Sequence, residues 1–94
     1  RNDSVSSSDT DWQLMEGSFI LYPNPADSYI NVEYFIQPEP DTKIKILDSS
    51  GKTLITEKAQ SVSNRISIYH LPSGLYYLIS LNIKLQKTKK FIKK

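Results

Sequence analysis

The sequence predicts an all-β fold, a seven-stranded antiparallel immunoglobulin-like β-sandwich, and three observations point there. Short apolar runs recur at regular spacing from Ser18 onward, divided by clusters of Pro, Gly, Asn and Asp. Several runs alternate apolar with polar residues, the period of a half-buried strand. No segment makes a convincing helix, so the elements must cover one another as sheets. Seven strands is the count of an immunoglobulin-like sandwich.

Each element has a local reason. Phe19-Ile20-Leu21-Tyr22 opens the series and is stopped by Pro23-Asn24-Pro25. Tyr29 to Ile36 alternates, with Ile30, Val32, Tyr34 and Ile36 on one face and Asn31 and Glu33 on the other. Pro38-Glu39-Pro40-Asp41 then forms a stiff extended loop, because each proline turns the preceding residue away from the helical region. Lys43 to Leu47 alternates again. Asp48-Ser49-Ser50-Gly51-Lys52 reads as a hairpin turn, with Gly51 at positive φ beside a bulge, and Thr53 to Glu57 returns. Arg65 to Tyr69 places Ile66 and Ile68 inward. Gly74 to Asn82 is apolar on both parities, as expected of a central strand covered on two sides. Tyr76, soon after Gly74, resembles a tyrosine corner, whose hydroxyl bonds to backbone a few residues upstream. Thr88 to Lys93 is the last strand.

Composition bounds the possibilities. Ninety-four residues make one domain, or one domain with a leader. Residues 1–17 are rich in Ser and Asp and are expected to form a flexible polar linker, with Trp12, Leu14 and Met15 as its apolar exceptions. Residues 18–94 are expected to form the folded unit. The chain begins at Arg1 without an initiator Met or a basic-then-apolar leader, and reads as a piece of something larger. There is no cysteine, which excludes disulfides and thiolate metal sites. Charge is lopsided: residues 1–42 carry one Arg against eight acids, whereas residues 43–94 carry eleven Lys or Arg against two acids. Six lysines and no acid fall between Lys84 and Lys94, the pattern of an interaction tail or of a protected edge strand.

Catalysis finds little footing. His70 is the single histidine, and no spacing nominates a nucleophile or an orienting acid for it. The acids fall mostly in the leader and loops rather than in a pair fit for glycoside hydrolysis. Asp9 and Asp11, or Glu39 and Asp41, lack the spacing of a calcium loop. The three glycines never form a phosphate cradle. The expectation is therefore no enzyme, no cofactor and no metal. Nucleic acid is also not expected as a partner: Phe91 is the one aromatic inside the lysine cluster, and that cluster has no arginine for bidentate base contacts. A polybasic contact with an anionic membrane surface stays open, at about 1 kcal/mol per lysine.

Read in order, the motifs resemble a known family. Tyr22-Pro23-Asn24-Pro25, then Asp48 and Gly51-Lys52 at a hairpin, then Leu71-Pro72-Ser73-Gly74-Leu75-Tyr76, then Lys89-Lys90-Phe91-Ile92-Lys93 at the end resemble the type A carboxy-terminal sorting domain of the type IX (Por) secretion system. The resemblance covers about Phe19 to Lys94. Two departures stand out: Tyr77-Leu78 replaces the more usual aliphatic pair, and Phe91 stands where an aliphatic residue is commoner.

The resemblance implies a secretion signal covalently joined to a larger cargo protein of Bacteroidetes-type bacteria. Cargo would cross the periplasm, meet the type IX translocon and its shuttle components at the outer membrane, and be cut by a sortase-like C-terminal signal peptidase within residues 1–17. It would then be released or held at the cell surface. The resemblance assigns translocon recognition to Lys89, Lys90, Phe91, Ile92, Lys93 and Lys94. It assigns a structural motif to Tyr22, Pro23, Asn24, Pro25, Gly51, Leu71, Pro72, Gly74 and Tyr76. An exposed last strand would suit this role, since free backbone groups template strand addition, and it should be removable while the rest stays soluble. The competing reading is an adhesion or carbohydrate-binding sandwich, with Trp12, Tyr29 and Tyr69 as its candidate aromatics. A plain structural spacer is the third.

Overall fold

The computed structural model describes residues 17–94. Trp12, Leu14, Met15 and the expected cleavage region up to Glu16 lie outside the described residues. Seven strands form: β1 (Phe19–Tyr22), β2 (Tyr29–Tyr34), β3 (Lys43–Asp48), β4 (Thr53–Lys58), β5 (Ser63–Ser67), β6 (Gly74–Leu81) and β7 (Gln86–Lys93). They pair antiparallel into a three-stranded sheet, β1-β2-β5, and a four-stranded sheet, β4-β3-β6-β7. The immunoglobulin-like sandwich read from the sequence is the fold observed.

The core follows from the alternation. Ile30, Val32 and Tyr34 of β2 join Ile44 and Ile46 of β3, Tyr76 and Leu78 of β6, and Ile66, Ile68, Phe19 and Phe91 in one buried cluster. Each such aliphatic side chain contributes about 1.5–3 kcal/mol on leaving water. Two buried hydroxyls are matched across the sheets: Tyr34 Oη and Ser80 Oγ share a hydrogen bond of 2.7 Å. Burial pushes the Tyr34 phenol pKa up, so the neutral, hydrogen-bonded form is the one the core holds.

Strand ends shift where polar residues continue a ladder. β5 begins at Ser63 rather than Arg65, because Ser63 and Asn64 pair with Glu33 and Val32. β7 begins at Gln86, opposite Leu81. β2 stops at Tyr34, which already sits opposite Phe19, the first residue of β1.

The β3–β4 hairpin matches expectation. The Asp48 carboxylate accepts the Ser50 hydroxyl at 2.6 Å and the Ser50 and Lys52 N–H groups at 2.9 and 3.0 Å. Gly51 takes φ of 93°, a conformation side chains resist. A bulge follows: Ile46 faces Ile55 but Leu47 faces Thr53, which leaves Leu54 as the extra residue.

One expectation changes. β6 is not covered on both sides. Tyr76, Leu78 and Ser80 are buried, whereas Leu75, Tyr77, Ile79 and Leu81 are only half-buried on the opposite face. Their shelter comes from neighbours within the sheet, and no third layer lies over them among the described residues.

Candidate functional site

β7 is a strand, so its side chains alternate, and alternation splits the lysine-rich cluster in two. Lys87, Lys89, Phe91 and Lys93 share one parity, directed at the other sheet. Lys87 Nζ donates to Ser18 Oγ at 2.9 Å, and Lys89 Nζ lies 5.8 Å from the centre of the Phe19 ring. Phe91 is 1% exposed and stacks on Tyr76 with ring centres 5.7 Å apart. Lys93 is 7% exposed, its ammonium bonded to the Lys94 carbonyl at 3.0 Å. The other parity carries Thr88, Lys90 and Ile92, the last 44% exposed. Of the six residues expected to form an address, Phe91 and Lys93 are therefore turned into the sandwich, and Lys89, Lys90, Ile92 and Lys94 are displayed.

The free edge of β7 is also divided. Ile92 N–H donates to Asn24 Oδ1 at 3.0 Å and its carbonyl accepts Ala26 N–H at 2.7 Å. Lys94 N–H closes the contact on the Ala26 carbonyl at 2.8 Å. These bonds point away from β6, so antiparallel alternation aims the N–H and C=O of Thr88 and Lys90 the same way. There they meet no backbone partner among the described residues. Among the described residues, this stretch of β7 presents an open edge.

The remaining motif residues gather at the same end of the sandwich. β1 ends there, and the chain leaves through Pro23-Asn24-Pro25 with both X–Pro bonds cis. Asp48, at the hairpin that holds Gly51, lies opposite Tyr76, and Tyr76 opposite Phe91. Leu71 is buried, and the Tyr76 hydroxyl donates to the Pro72 carbonyl at 2.6 Å, the corner geometry expected from sequence. Gly74 has φ of 153°, and space is open where a Cβ would stand, so backbone conformation alone asks for glycine. Tyr22 is exposed and donates to Glu33 Oε1 at 2.6 Å. Asn24 and Ala26 act as the cap on the last strand, a pairing with no local sequence signal beyond the Asn-Pro turn.

Other candidates are occupied. His70 packs edge-on against Tyr69, with ring centres 5.5 Å apart. Asp41 accepts Ile83 N–H at 2.9 Å, and Glu39 lies 3.5 Å from Lys84 Nζ. Tyr29 and Tyr69 do flank one shallow depression, but the Arg65 guanidinium covers the Tyr29 ring at 4.1 Å. A sugar would have to displace that cation to stack there.

Against known protein families, residues 20–94 match the secretion system C-terminal sorting domain. The chain belongs to that family. Its members are C-terminal sorting signals of the type IX secretion system, and the sorting domain thus serves export across the outer membrane toward the surface or the medium. The sorting domain also resembles a solved structure of PorZ, a surface component of the type IX secretion system of Porphyromonas gingivalis. The TM-score is 0.63 at 19% identity, over 82% of this chain and 11% of that one. At that identity the likeness speaks to the fold, and the sorting domain spans about a tenth of PorZ. A search of the curated proteins finds no match.

Proposed function

We propose that this domain carries a covalently attached cargo protein through the periplasm to the type IX translocon and its shuttle components. A sortase-like signal peptidase then cuts within residues 1–17, and the cargo is released or kept at the cell surface. The observation that carries this reading is the family match over residues 20–94. The geometry of β7 supports it. Thr88 and Lys90 offer backbone groups with no backbone partner among the described residues to an incoming strand, while the lysines discourage pairing between copies. The displayed part of the proposed address is Lys89, Lys90, Ile92 and Lys94; Phe91 and Lys93 serve it by fixing the strand.

The test is a fusion. Residues 18–94 are placed behind a periplasmic reporter in a bacterium that has this pathway, and in a translocon-deficient strain. Reporter should reach the medium or the surface only in the first. Retention in the periplasm of both strains would refute the proposal.

A further inference from the structure

The outer face of the four-stranded sheet has a composition that its fold does not explain. Register fixes its rows: Leu75 beside Ile92; Leu47, Tyr77 and Lys90; Thr56, Lys45, Ile79 and Thr88; Lys58, Lys43, Leu81 and Gln86. The bulge adds Leu54, which is 38% exposed. No position on this face is Asp or Glu. The outer face of the three-stranded sheet is the opposite case, since Tyr22, Glu33, Ser63, Asn31 and Arg65 bond to one another there.

We propose that the strip of Leu47, Leu54, Tyr77 and Ile92, flanked by Lys45 and Lys90, docks a protein of the export apparatus. The partner's contact patch is apolar at the centre and carboxylate-bearing at the rim. This rests on the export reading above and names the surface it uses. Charge decides the partner's character: Lys45 and Lys90 stand on outward strand positions that include no acid, which favours an acidic rim and repels a basic one. A second copy would set Lys45 and Lys90 against lysines in a self-complementary pair. A lipid surface fits less well, because Leu47 and Tyr77 lie half-buried within the sheet rather than projecting as an inserting apolar ridge. The strip also adjoins the open backbone edge at Thr88 and Lys90, which a protein strand can use and a lipid cannot. Four strands and four rows measure about 14 Å by about 20 Å. That small footprint belongs to the transient class of interface. A cargo handed from one component to the next needs such a contact.

The whole chain, fused behind a periplasmic reporter, tests the assignment. Lys45→Glu/Lys90→Glu and Leu54→Asn/Tyr77→Asn are compared with Ile20→Asn/Arg65→Glu on the opposite outer face, each checked by circular dichroism and thermal melting. Export should fall roughly tenfold or more for the first two pairs, as expected when like charge or a polar group meets such a patch, and less than about twofold for the third. Where a face variant melts early, Lys45→Gln/Lys90→Gln replaces it, and a smaller but clear fall is expected.

Equal export by all folded variants would overturn the docking surface yet leave the sorting function standing. Wild-type export that ignores the translocon would overturn the function itself. Two in vitro results would also overturn the assignment. One is binding to phosphatidylglycerol-containing vesicles that the Lys→Glu pair abolishes; the other is a dimer in sedimentation that Leu54→Asn/Tyr77→Asn dissolves.

Discussion

The two sides of β7 use the same residue types for opposite ends. Inward, Lys87 and Lys89 close the sandwich over Ser18 and Phe19, and Phe91 fills its end against Tyr76. Outward, Lys90 and Ile92 contribute to a face with no acid to answer the lysine. Charge alone therefore does not distinguish a structural lysine from a displayed one. Strand parity does. One strand both completes the fold and carries the surface by which the fold is read, so damage to one role is easily mistaken for damage to the other.

The largest effect expected separates the two sides. Phe91→Ala should cost about 3–5 kcal/mol, the usual range for emptying a buried aromatic site. Ile92→Ala, on the exposed parity, should cost well under half of that. A domain of this size is stable by only about 4–12 kcal/mol, so removing Lys89 to Lys94 should unfold much of the protein rather than leave a soluble remainder. Urea titration of the three variants decides it, and equal losses at Phe91 and Ile92 would erase the distinction. The next effect lies where β6 meets β7. Gly74→Ala meets no atom but must hold a φ that side chains rarely adopt, a cost of about 1–3 kcal/mol. A thermal midpoint unchanged by that substitution would show that the backbone relaxes there freely.

What the chain revealed in advance follows from how local each signal is. The alternation in Ile30, Val32 and Tyr34 and in Ile44 and Ile46 identifies inward positions because parity needs no partner to be read. Gly51 and the Tyr76 corner are equally local, set within four residues of their partners. The cap of Asn24 and Ala26 on Ile92 and Lys94 spans most of the chain, and nothing near either segment announces it. β6 shows a different limit. An apolar run on both parities looks the same whether its second face is buried by another layer or left for a partner. Lys89 to Lys93 was legible as a strand, but its division into displayed and buried residues required knowing which face met the core.

A smaller effect probes the cap itself. Asn24→Ala removes the acceptor of the Ile92 amide and should cost about 1 kcal/mol. Its signature is local: faster hydrogen exchange at Ile92 while amides in β2 and β3 stay protected. Uniform acceleration across the domain would mean that the cap belongs to the core rather than to the edge of β7.

The smallest effect concerns acid, and it tests whether the motif end of the sandwich is held by the hairpin as well as by β7. The Ser50 hydroxyl, ahead of the Lys52 amide, holds the Asp48 carboxyl below its ordinary range. A depressed folded pKa means that this carboxylate stabilises the protein at pH above the unfolded value of about 3.9, and that the contribution fades as pH falls through the lower folded value. Urea midpoints followed from neutral pH down to about pH 2.5 should therefore fall more steeply for the native protein than for Asp48→Asn. The Asp48→Asn variant should be weaker at neutral pH, and the two curves should converge in acid. Exposure of the turn to water keeps the gap small. Parallel curves over the whole range would assign the acid sensitivity elsewhere and leave β7 as the main anchor of that end.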